Sequence, residues 1–135
     1  MLVAACALVQ PGGGSGPLVT IESKGGRCPE GECRFLVAIE RDGRVHRLAP
    51  DVGDMTQVEP RIITAIEVAI ASTDFDAIRS RPFTGECPTA FDGQELIYTF
   101  STPSGEERIA SCETEIDESH PLFVSVQAAL GASPP

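Results

Sequence analysis

No run of apolar residues in the chain approaches the ~18 that a membrane-spanning helix needs, so nothing in it is expected to cross a bilayer. Bases are scarce. Ten Lys and Arg stand against 20 Asp and Glu, giving a formal net charge of −10. That balance disfavours nucleic-acid binding through a basic patch. Histidine occurs twice, as His46 and His120, and each reads as structural: His46 as an exposed strand residue, His120 as a cap or cap neighbour before Pro121. No Gly-x-Ser-x-Gly elbow is present. Gly12-Gly-Gly-Ser-Gly16 lacks the lysine and the preceding strand of a phosphate loop. Asp74 and Asp76 flank Phe75 as a turn would, and Glu113, Glu115, Asp117 and Glu118 do not follow a calcium-loop spacing. The sequence therefore predicts no catalytic residue, no metal site and no cofactor.

The chain has 135 residues, 41 % of them apolar. This is enough for a core and short enough for one domain. Gly 13 and Pro 11 promise many turns. Charge is uneven: residues 1–50 balance at about +1, whereas residues 51–135 carry about −11, which reads as a solvated acidic face.

Five cysteines are the strongest signal: Cys6, Cys28, Cys33, Cys87 and Cys112. An odd count in an exported chain asks which one is left over. Cys6 stands apart. Val3-Ala-Ala-Cys6 looks like a bacterial lipobox, and Gln10-Pro-Gly-Gly-Gly-Ser-Gly-Pro17 has the composition of a tether. Five residues precede Cys6, fewer than a signal peptide's apolar region, so lipidation would require an earlier start. The alternative is an apolar tail without function. Cys28-Pro-Glu-Gly-Glu-Cys33 holds turn-forming residues that bring its ends together, and Cys87 and Cys112 enclose 24 residues. Disulfides Cys28–Cys33 and Cys87–Cys112 are the favoured reading. A four-thiolate zinc site, of which only half the usual spacing is present, and free thiols remain the alternatives. Disulfides place the chain in an exported setting: periplasm, cell envelope or outside the cell. Membrane contact is expected only through lipid on Cys6.

Alternation predicts strands at Leu18–Glu22, Arg34–Glu40, Val45–Leu48, Glu95–Phe100 and Glu107–Cys112. Lys24-Gly-Gly-Arg27 breaks the first strand, and Asp42-Gly43 turns the second into the third as a type I′ hairpin. Pro60 opens a helix to about Ala71, with Ile62, Ile66 and Ile70 on its apolar stripe. Pro121 opens another, stopped by Gly131. Phe75 and Ile78 suggest a buried helical turn between them. The expected plan is α+β: an antiparallel five-stranded sheet in the order βββ-α-ββ-α, with two helices packed on one face. The domain runs from 18 to 131, between an N-terminal segment at 1–17 and a tail at 132–135. Phe35, Val37, Ile39, Leu96, Tyr98, Phe100, Leu122, Val126 and Leu130 complete the expected core.

Two loops are candidates for binding. The first is the clamped stretch Lys24, Gly25, Gly26, Arg27, Cys28, Pro29, Glu30, Gly31, Glu32 and Cys33. It offers both charges on a restrained backbone, which lowers the entropy lost on binding. The second is Pro82–Gly93, in which Phe83 and Phe91 are expected to pin the loop to the core.

The order of strand, Gly-Gly break, hairpin, helix, Asp74-Phe75-Asp-Ala-Ile78 segment, hairpin and final Pro121-Leu-Phe helix resembles the emfourin family, small bacterial inhibitors of thermolysin-type metalloproteases. Cys28-Pro-x-Gly-x-Cys33 and Phe83-Thr-Gly-x-Cys-Pro-Thr-Ala-x-Asp-Gly93 are similar to stretches of uncharacterised bacterial secreted proteins. The first resemblance implies a non-catalytic domain that binds an extracellular protease. The alternative is an envelope accessory lipoprotein with no inhibitory role.

Overall fold

A computed structural model describes residues 16–29 and 31–131, with Gly31 and Glu32 as backbone alone. Cys6, the Gly/Pro-rich stretch after it, Glu30 and residues 132–135 lie outside the described residues. The elements are β1 (Val19–Cys28), β2 (Gly31–Ile39), β3 (Arg44–Ala49), β4 (Gly53–Gln57), α1 (Pro60–Ser72), α2 (Phe75–Arg79), a 3-10 turn (Pro88–Phe91), β5 (Glu95–Thr102), β6 (Gly105–Ala110) and α3 (Pro121–Ala129). They form an α+β domain with one antiparallel sheet in the order β4-β3-β2-β1-β5-β6.

The sheet has six strands rather than five. The additional one is β4, in a stretch where alternation predicts no strand. Gly53-Asp-Met-Thr-Gln57 is an outer strand with almost every side chain exposed, so no buried face imposes alternation on it. Its register against β3 shifts between Val45 and His46, a bulge of the kind that blunts sheet edges. β4 also alters the setting of His46, which pairs with Asp54. Instead of being exposed, His46 is buried, with Nε2 2.8 Å from Glu40 Oε1.

Two further turns differ from expectation for reasons of backbone geometry. β1 does not stop at Gly25-Gly26. It continues through a register shift, with φ of +112° and +85° at the two glycines. The β2–β3 connection is a three-residue loop, Arg41-Asp42-Gly43, closed by Glu40 N–H donating to Arg44 O. Gly43 alone takes the left-handed region, with φ +92°, so the turn is not type I′.

Helices α1 and α3 cover one face of the sheet. Cross-strand register puts Val45, Ile39, Val19, Phe100 and, one row on, Ile21, Tyr98 and Ile109 on that face. Ile63, Ile66 and Ile70 from α1 and Leu122, Phe123 and Val126 from α3 close over them as one cluster. Ile63, rather than Ile62, is the fully buried first member of the α1 stripe. Pro60 begins α1 as expected, with Glu59 extended before it. At α3 the cap is His120, whose Nδ1 accepts from Leu122 N–H at 3.1 Å. Asp117, three residues earlier, accepts from the hydroxyl and N–H of Ser119, which hold its carboxyl below the usual carboxylate range.

Four aromatics form the centre. Tyr98 stacks on Phe100 at 6.0 Å between ring centroids, and Phe123 meets Tyr98 edge-on at 5.1 Å. Phe75 reaches Phe100 from α2 at 5.6 Å. Burial pushes the Tyr98 hydroxyl above the ordinary phenol range, the nearby charge of Glu118 adds to this, and a hydrogen bond with Gln127 opposes it. The folded protein therefore keeps a proton that the unfolded chain releases above about pH 10. Stability must fall as pH rises past that point. Tyr98→Phe is expected to flatten this alkaline limb of a urea-denaturation series. With one tyrosine and no tryptophan in the chain, tyrosinate absorbance follows the same group directly. An unshifted titration in the folded protein would contradict the burial argument.

The two helices leave part of their sheet face open. Phe35, Ser23 and Leu96 form one row across β2, β1 and β5 on the helix side. Phe35 and Leu96, expected in the core, are 42 % and 36 % exposed because this row lies beyond the helical roof. The sheet thus has two unlike ends. At one, Gly16 and Pro17 lie against Thr99, Ser101 and the β5–β6 turn. At the other lie the β1–β2 hairpin tip and both disulfides, about 30 Å away at strand rise.

Candidate functional site

The two candidate loops meet at that second end. The hairpin tip is closed by Cys28–Cys33, with a Cα–Cα distance of 5.3 Å, and the second loop is tied to the end of β6 by Cys87–Cys112 at 5.2 Å. Both bridges have the expected pairing. The four sulfurs are bonded in pairs and are not thiolates, which answers the zinc alternative at these cysteines. Cys87, Glu95 and Cys112 approach one another as metal ligands would, but their two sulfurs are already joined. Two disulfides fit an oxidising compartment.

Glycine lets the loops touch. A Cβ on Gly25 would lie 2.7 Å from both Gly93 O and Thr89 Cγ2, and one on Gly26 3.2 Å from Asp92 O. The Gly25-Gly26 bulge of β1 is therefore the seat on which Thr89–Gly93 rests. Arg27 Nε completes the contact, 3.1 Å from Asp92 Oδ1. Arg27 is largely exposed, so this pair adds orientation more than stability. Lys24 Nζ lies 4.0 Å from Glu95 Oε2, a second link, here from β1 to the start of β5. Of the expected contact residues, Lys24, Gly25, Gly26, Arg27 and Pro29 thus sit together at this end. Glu30 lies outside the described residues, and only the backbones of Gly31 and Glu32 are described.

Phe91 departs most from expectation. Instead of pinning its loop to the core it is 70 % exposed. Its loop is held from other directions: by the Cys87 bridge, by Phe83 N–H donating to Glu113 O, and by the Gly25 seat. Asp92 follows Phe91 in the left-handed region, φ +64°, and Gly93 N–H closes the 3-10 turn on Pro88 O. The signal was in the sequence: an aromatic immediately before a turn-forming Asp-Gly sits at a loop apex, where a side chain has little core to enter. The resulting surface carries a solvent-facing aromatic and an arginine on backbone held by two covalent clamps. Such aromatic and arginine side chains on restrained backbone are what anchor protein–protein contacts.

No protein-family model matches the chain, and no curated protein matches it.

Proposed function

We propose that this protein is a non-catalytic binding domain of an exported compartment that engages a protein partner through its two clamped loops, with Phe91 and Arg27 as anchors and Lys24 to Glu32 around them. The observation that carries this reading is Phe91, 70 % exposed on a loop fixed by a disulfide and a glycine seat. Covering such a side chain with a partner would gain roughly 1.5–3 kcal/mol, on a loop that is already ordered. The chemistry of the remaining candidates supports a non-catalytic role. His120 uses Nδ1 to cap α3, His46 is engaged by Glu40, and the four domain cysteines are bridged. The emfourin resemblance supplies the partner class to test first, an extracellular thermolysin-type metalloprotease. Attachment to a membrane through lipid on Cys6 belongs to the same proposal.

The test is titration of such proteases with the oxidised full-length protein, alongside Phe91→Ala and a variant with residues 29–32 replaced by Gly and Ser. Wild type is expected to inhibit at micromolar concentration or below, and each variant to weaken inhibition at least tenfold, the scale of a hot-spot truncation. Inert wild type would end the inhibitor reading and favour an envelope accessory role. Equal inhibition by all three would place the contact elsewhere on the domain.

A further inference from the structure

Where α3 stops covering the sheet, a groove of about 650 Å³ opens between the helix and the strands. Leu96 and Tyr98 of β5 form its floor, Phe123 and Val124 of α3 one wall, and Ile116 the other. Val124 is 51 % exposed. The groove is continuous in register with exposed Phe35, one strand beyond Ser23. Apolar side chains from β5, α3 and the segment before α3 thus line a channel beside an incompletely roofed sheet.

The charge around the channel has one sign. Glu118 is the one charged residue among those lining it. It belongs to the acidic segment Glu113–Glu118, of which Glu115 and Asp117 line a separate pocket beside α2. Glu113 is paired with Arg108 at 2.9 Å and Glu115 with Arg81 at 3.7 Å, while Glu118 is in no ion pair among the described residues. The influence of Glu118 reaches the floor, since it helps to raise the Tyr98 hydroxyl. An acidic occupant would set carboxylate against carboxylate here. A cationic one would supply the counter-charge that the groove itself lacks.

We propose that this groove seats an amphipathic helix with a basic polar face from a protein partner. Its apolar side chains at i, i+3, i+4 and i+7 would cover Leu96, Val124 and Phe35, and its Lys or Arg would meet Glu118. A helix is the fitting shape. It completes the helical layer over the open row of the sheet, as the layered packing of sheets requires, and the backbone groups of β5 are already satisfied by β1 and β6. The inference rests on the reading of the domain as a binding module, but it uses a surface other than the clamped loops.

The probe is a synthetic 14-residue peptide of leucine and lysine at helical spacing, with a leucine–glutamate peptide of the same pattern as control. Fluorescence anisotropy with the oxidised full-length protein is expected to show the lysine peptide binding at least tenfold tighter than the glutamate one, with affinity falling as salt is raised. Val124→Glu adds an anion yet blocks the channel, so it should weaken lysine-peptide binding at least tenfold. Glu118→Lys should weaken it several-fold and reduce the salt dependence. Phe91→Ala and the 29–32 replacement should leave it unchanged, which separates failure here from failure of protease inhibition. Unchanged or tighter binding by Val124→Glu would reduce the effect to diffuse charge attraction and overturn the proposal. Equal binding of the two peptides, or none at 100-micromolar protein, would do the same. So would a concentration-dependent dimer in sedimentation that Val124→Glu abolishes, because the occupant would then be a second copy of the chain.

Discussion

Phe100→Ala is expected to destabilise the domain by about 3–5 kcal/mol, the range for removing a fully buried phenylalanine. Phe100 is 0 % exposed and meets Phe75, Tyr98 and Phe123 at once. Its truncation removes the contact that joins α2, α3 and the central strands, and the surrounding rings cannot all collapse into the space. Since small domains are stable by only about 5–15 kcal/mol, a large part of the total is at stake. Urea denaturation followed through the single tyrosine would measure it. Phe35→Ala is the comparison. On the same sheet face but 42 % exposed, it should cost clearly less than Phe100→Ala. Equal costs would mean that the open row is covered in solution.

Removal of the Cys87–Cys112 bridge by paired alanine substitution is expected to cost about 3 kcal/mol, which in the chain-entropy picture is the value for closing a loop of this length. For a domain of this size that is a fall of roughly 10 °C in Tm. Cys28 and Cys33 lie five positions apart, against 25 for the other pair, so their loss should cost about 2 kcal/mol. The difference is also local. Without Cys87–Cys112 the 82–94 segment retains the Gly25 seat, its contacts with Arg27 and Glu113, the Pro82–Thr114 bridge and the Ser23–Gln94 hydrogen bond, none of them covalent, so its amide hydrogen exchange should accelerate more than that of the sheet. Uniform acceleration everywhere would show that the bridge acts on the whole fold instead of on the loop.

What could be read from the sequence was whatever leaves a periodic or stereochemical mark. Val19, Ile21, Val37 and Ile39 alternate because they face a helical layer. Pro60 and Pro121 mark helix starts because a proline there forfeits no hydrogen bond. The cysteine pairing followed from turn residues and spacing. β4 left no mark, since its side chains are exposed on both faces. The exposure of Phe35 and Leu96 was equally hidden. Their alternation is that of buried residues, and where two helices end along a sheet is a fact of tertiary packing. At the candidate site, Gly25-Gly26 read as a break because glycine is weak in strands. The structure uses the same residues to admit another segment of backbone at 2.7 Å from where a Cβ would be. That close approach lies between positions more than 60 residues apart in the chain, and no local pattern encodes it.

The placement of Gly16 at the end of the sheet opposite the disulfides gives the domain a direction. Whatever holds the protein from its N-terminal side turns the clamped loops outward, about a strand length farther from the point of attachment. Immobilised through residues ahead of Gly16, the protein should present Phe91 and Arg27 to a passing partner. Immobilised through the hairpin tip, it should hide them. Orientation alone would then separate a capturing surface from a silent one.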